Sequence, residues 1–117
     1  MSVTLSGNDS VTLTVEAPSV LRGVPILFVE ASALRNPRGA RVYVEVYLEG
    51  ADGREHELGN FTFFGEIGDA GRRVFAFPMD DLTSEVAHVR ASMNPFDANN
   101  GDVSDVRVDL QAWIGMR

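Results

Sequence analysis

Residues 41–48 read Arg41-Val42-Tyr43-Val44-Glu45-Val46-Tyr47-Leu48. Val42, Val44, Val46 and Leu48 recur with period two, and Tyr43, Glu45 and Tyr47 stand between them. Successive side chains of a β-strand point to opposite faces, so this spacing predicts one dry face and one mixed face. β-branched and aromatic residues suit a pleated surface, and neither Gly nor Pro interrupts the run. In a helix the same residues would form no continuous apolar stripe, and the β-branched ones would lose side-chain freedom. Glu49-Gly50-Ala51-Asp52-Gly53 then turns the chain, and apolar character returns at Leu58. The expected unit is a hairpin whose loop is longer than two residues.

The same pattern extends outward. Ser2 to Leu5 is extended, and Gly7-Asn8-Asp9 is a turn. From Ser10 to Glu16, Val11, Leu13 and Val15 alternate with Thr12, Thr14 and Glu16, and Pro18 ends the run because it cannot donate to a ladder. After a turn at Leu21-Arg22-Gly23, Pro25 opens the apolar strand Ile26-Leu27-Phe28-Val29, which reads as buried on both faces or set beside a second layer. Asn36-Pro37-Arg38-Gly39 turns into the 41–48 strand. Beyond the hairpin come Asn60 to Phe64, a turn at Gly68-Asp69-Ala70-Gly71, and a strand from Arg72 to Phe77 closed by Pro78. Met79 to Thr83 reads as one helical turn with Asp80 as its cap. Val86 to Ser92 alternates, Asn94 to Ser104 reads as a loop, and Asp105 to Ile114 alternates again. Seven or eight short strands without a long helical period predict an all-β fold. The expected architecture is an antiparallel β-sandwich, with a small barrel as the alternative. The length of 117 residues suits one domain over residues 1–117.

Composition narrows the function classes. The formal charge is -7, from 17 acidic residues against 10 Lys and Arg. A binder of nucleic acid or of an anionic membrane carries the opposite sign, so neither partner is expected. There is no cysteine, which excludes a disulfide framework and a thiolate metal site. Met1-Ser2-Val3-Thr4 has no basic or apolar leader character, so neither a signal peptide nor a membrane span is expected, and the protein should be soluble. His56 and His88 are the two histidines. They are too few for a coupled metal pair, and both read as structural or surface residues. No Ser, His and Asp spacing argues for a triad, and no Gly-rich loop leads into a helix that would hold phosphate.

Two stretches carry candidate sites. Asp97, Asn99, Asp102 and Asp105 place oxygen ligands in one loop with Gly101 for the bend, a weak calcium pattern that lacks a bidentate Glu at its end. Phe61, Phe63 and Phe64 cannot all enter one layer. Core filling accounts for most of these rings, and the remainder are candidates for docking a partner or gating its site.

In their order along the chain, several segments resemble the C-terminal β-sandwich domain of tyrosinases and polyphenol oxidases. They are Val11-Thr12-Leu13-Thr14-Val15, Pro25-Ile26-Leu27-Phe28-Val29-Glu30, Ala40 to Leu48, Gly59-Asn60-Phe61-Thr62-Phe63-Phe64-Gly65, Arg73-Val74-Phe75 and Asp81-Leu82. Ala91-Ser92-Met93-Asn94-Pro95-Phe96 departs from the family pattern. The resemblance implies a non-catalytic accessory domain that shields or gates the active site of a phenol-oxidising enzyme, or supports its fold. It implies a helical dinuclear-copper domain, fused or separate, as partner. Copper would belong to that partner, and no cofactor to this chain. The alternative is a free-standing protein-interaction β-sandwich.

Overall fold

The computed structural model describes residues 2–17, 23–37, 39–50, 52–63, 71–79, 86–96 and 103–116. Eight strands follow one another: β1 (Ser2–Ser6), β2 (Ser10–Glu16), β3 (Pro25–Arg35), β4 (Arg41–Glu49), β5 (Glu55–Phe63), β6 (Arg72–Pro78), β7 (Val86–Phe96) and β8 (Arg107–Met116). They form two antiparallel sheets of four, ordered β1-β8-β3-β6 and β2-β7-β4-β5. Each sheet ends on two different strands, so the molecule is a β-sandwich and not the closed barrel. Of the connections between successive strands, β4–β5 alone is a hairpin within one sheet; the others change sheet. Among the described residues no helix is long and apolar enough to cross a membrane.

The alternation in β4 is realised as expected. Val42, Val44 and Val46 are fully buried, and Leu48 packs against the core from its margin. They face Leu27, Val29 and Leu110 of the opposite sheet in one apolar cluster. Burial of this kind supplies the main drive to fold, at roughly 25 cal/mol per Å² of apolar surface.

Three local devices correct the simple alternation. In β3 the register against β8 slips between Ser32 and Arg35, and Ala33 takes φ 50°. The extra residue returns Leu34 to the core, where it is 1% exposed. In β5 the register against β4 slips after Val46↔Gly59, so that Tyr47 opposes Glu57. Between β3 and β4, Asn36 is buried; its Nδ2 donates to the Ala40 carbonyl at 2.6 Å and its Oδ1 accepts the Ala40 N–H at 2.9 Å. The amide thus completes the backbone pairing of a crossing segment that no strand satisfies.

Strand β7 runs through Asn94-Pro95-Phe96, which the sequence reading assigns to a loop. Pairing with β2 ends at Ser10↔Ser92, whereas pairing with β4 continues to Arg41↔Phe96. The Met93 N–H still donates to the Asp9 carbonyl at 3.0 Å; past it, among the described residues, the strand has an open side, and a proline is tolerated there. Pro78 is likewise accepted at the end of β6, an edge strand, where it pairs with Ile26. The expected helical turn at Met79 to Thr83, with its Asp80 cap, falls mostly outside the described residues.

Candidate functional site

Phe61 and Phe63, candidates for docking or gating, lie in the core. They are 5% and 6% exposed. Their register partners are Val44 and Val42, so they share the face that meets the other sheet. Phe61 stacks on Phe75 at 4.2 Å between ring centroids, and Phe63 meets Phe75 edge-on at 5.7 Å. Phe77 completes the cluster 6.4 Å from Phe61. These rings close the sandwich where β5 faces β6. Phe64 lies outside the described residues.

The calcium candidates Asp97, Asn99 and Asp102 also lie outside the described residues, and Asp105 is exposed before β8. Among the described residues no group of three His, Cys, Asp or Glu is placed to hold a metal ion. His56 lies 3.5 Å from Asp52 at the exposed start of β5. It shares a register row with Leu48 and Val89, whereas His88 pairs with Thr14 on the outer face. The two imidazoles therefore leave opposite faces of the sheet and make no joint site.

What the fold does assemble is the outer face of the β2-β7-β4-β5 sheet. Register sets it out in rows: Thr12, Arg90, Tyr47 and Glu57; then Ser10, Ser92, Glu45 and Asn60; then Asn94, Tyr43 and Thr62; then Phe96 and Arg41. Arg90 Cζ stands 4.4 Å from the Tyr47 ring centroid, and its Nε donates to both oxygens of Glu55 at 2.8 and 3.1 Å. The Tyr47 hydroxyl donates to Glu45, and Asn94 Nδ2 donates to the same carboxylate at 3.3 Å. The bond to Glu45 raises the Tyr47 pKa above its ordinary value, helped by partial burial. Desolvation, then the Glu45 and Glu57 charges, raise that of Tyr43. The Glu55 contact raises that of Arg90.

At one end of this face a groove of ≈ 590 Å³ is lined by Arg41, Tyr43, Thr62, Asn94, Pro95 and Phe96. Arg41 Cζ lies 5.6 Å from the Phe96 ring centroid, and Phe96 is 56% exposed. The chemistry present is that of binding: aromatic planes, one cation, one amide and two hydroxyls. Sequence reading places Tyr43 on the mixed face of β4 but misses Asn94 and Phe96, because Pro95 makes their segment look like a loop. The other sheet presents a second aromatic feature. Phe28 and Trp113 stack at 5.7 Å with ring planes 17° apart, and Val74 stands exposed nearby on β6.

No family model and no curated protein matches this chain. Among solved structures it is similar to one titled "Family 16 Carbohydrate Binding Module-2". The TM-score is 0.40 at 16% identity, over 96% of this chain and 74% of that one.

Proposed function

We infer that this chain is a non-catalytic accessory β-sandwich that acts by contact, and that the domain it covers or gates is a tyrosinase-like helical dinuclear-copper domain. The observation that carries the contact role is the tethered outer face of the β2-β7-β4-β5 sheet. Its Tyr47, Arg90, Glu45 and Glu55 side chains are held to one another, so little side-chain freedom remains to be lost on association. The order of motifs from Val11 to Asp81-Leu82 supports the choice of partner.

The test mixes the purified chain with a tyrosinase-like copper domain lacking its own β-domain. A one-to-one complex and a changed rate of oxygen uptake on a monophenol and a catechol are expected. Absence of a complex overturns the partner. Sustained copper-dependent oxidation by this chain alone overturns the non-catalytic role. The Phe28–Trp113 pair favours a second reading, a free-standing interaction module, because it gives the opposite sheet a contact surface of its own. That reading predicts complexes with other proteins and no effect on phenol oxidation.

A further inference from the structure

We propose that the groove at the β4–β7 end of the outer face binds a small aromatic carboxylate, with the ring against Phe96, Pro95 and Tyr43 and the carboxylate on Arg41. This site belongs to the chain itself and does not depend on the partner inferred above.

Charge complementarity selects the ligand. Arg41 is the cation that lines the groove, and among the described residues no carboxylate pairs with it. Its contact with Phe96 runs through Cζ at 5.6 Å. The N–H donors of a guanidinium lie in its own plane, so a contact of this kind holds the group in place and leaves the fork to receive two carboxylate oxygens. The acidic carboxylate closest along the rows, Glu45, is engaged by Tyr47 and Asn94 and forms no ion pair with Arg41.

Shape selects the ring. Phe96 is half exposed, whereas Val89 and Met93 on the same strand are fully buried. Pro95 and Tyr43 line the groove beside it, and Thr62 and Asn94 bring polar side chains to the same lining. The volume of ≈ 590 Å³ lies inside the range of about 300–1,000 Å³ usual for small-molecule sites. The walls are held in place: Asn36 clamps Ala40 just before Arg41, and Asn94 is bonded to Glu45.

The experiment titrates the chain with 4-hydroxybenzoate and follows backbone amide shifts by NMR. Shifts are expected at Arg41, Thr62, Asn94 and Phe96. 4-Hydroxybenzamide keeps the ring and loses the charge, and acetate keeps the charge and loses the ring. Each should bind at least about tenfold more weakly. Arg41→Gln should produce a similar loss, and added salt should weaken the acid more than the amide. Because the amide comparison uses the wild-type chain, the result does not hang on the folding of a variant. Equal binding of acid and amide, shifts centred on Phe28 and Trp113, a neutral oligosaccharide binding more tightly than the acid, or no saturable binding would each overturn the proposal.

Discussion

Gly59 sits directly against the ring of Phe77: a Cβ at Gly59 would stand 2.7 Å from Phe77 Cδ1 and 2.8 Å from Cε1. The contact joins β5 of one sheet to β6 of the other. Phe77 is buried and packs with Phe61, so its ring has little room to retreat. Gly59→Ala should therefore destabilise the fold by about 1–3 kcal/mol through overpacking. Urea unfolding measures this, and an unchanged midpoint would show that the ring moves freely.

Val46→Ala should cost about 1–3 kcal/mol, because Val46 is fully buried and the vacated space is hemmed in by the opposite sheet. Glu45→Ala, on the other face of the same strand, should cost less, about 1 kcal/mol. A solvent-exposed glutamate would be worth no more than about 0.5 kcal/mol. Glu45 exceeds that because it accepts hydrogen bonds from Tyr47 and Asn94. Parallel denaturant melts would expose a wrong account if E45A were the more damaging.

The bulge in β3 and the crossing that follows it yield opposite expectations at two positions. Asn36→Ala strips the Ala40 N–H and carbonyl of their partner inside the protein and should cost about 2–3 kcal/mol. Ala33→Gly relieves a left-handed backbone at φ 50°. Its gain is offset by the greater freedom of glycine in the unfolded chain, and a net stabilisation of up to about 1 kcal/mol is expected. Thermal melts of the two variants should shift in opposite directions.

Tyr47 should give the fold a weakness in base. Its pKa is raised above 10.0 in the folded chain, first by its hydrogen bond to Glu45. The neutral hydroxyl is therefore favoured by folding. Its contribution is fully present below the unfolded value and is lost as the pH rises through the raised one. The melting temperature should fall above about pH 10, and less steeply in Tyr47→Phe than in the wild type. Equal alkaline slopes for the two proteins would remove Tyr47 from this role.

The elements that could be read from the chain are those whose side chains alternate without interruption. Strand β4 is the clearest case, and β2 follows with Leu13 and Val15 inward and its threonines exposed. The end of β7 was hidden because Pro95 is an ordinary strand breaker. It became acceptable only where β2 stops pairing, and that is a property of the neighbouring strand. The candidate site was hidden for the same reason. Phe96 and Asn94 belong to its groove only if the strand continues through the proline.

From the amino-acid order alone came the all-β class, a count of seven or eight strands and the division of β4 into a buried valine face and a polar aromatic one, because period-two alternation is a local property of the chain. Which strands neighbour one another was decided by the tertiary structure. The pairing β1-β8-β3-β6 joins segments far apart in sequence, and no local pattern specifies it. The fate of the phenylalanines was decided there too. Phe61 and Phe96 are the same residue type on strands of similar pattern, yet one is buried against Phe75 and the other lines an open groove. The difference lies in what stands opposite: β6 of the second sheet covers Phe61, whereas Phe96 faces outward beside Arg41.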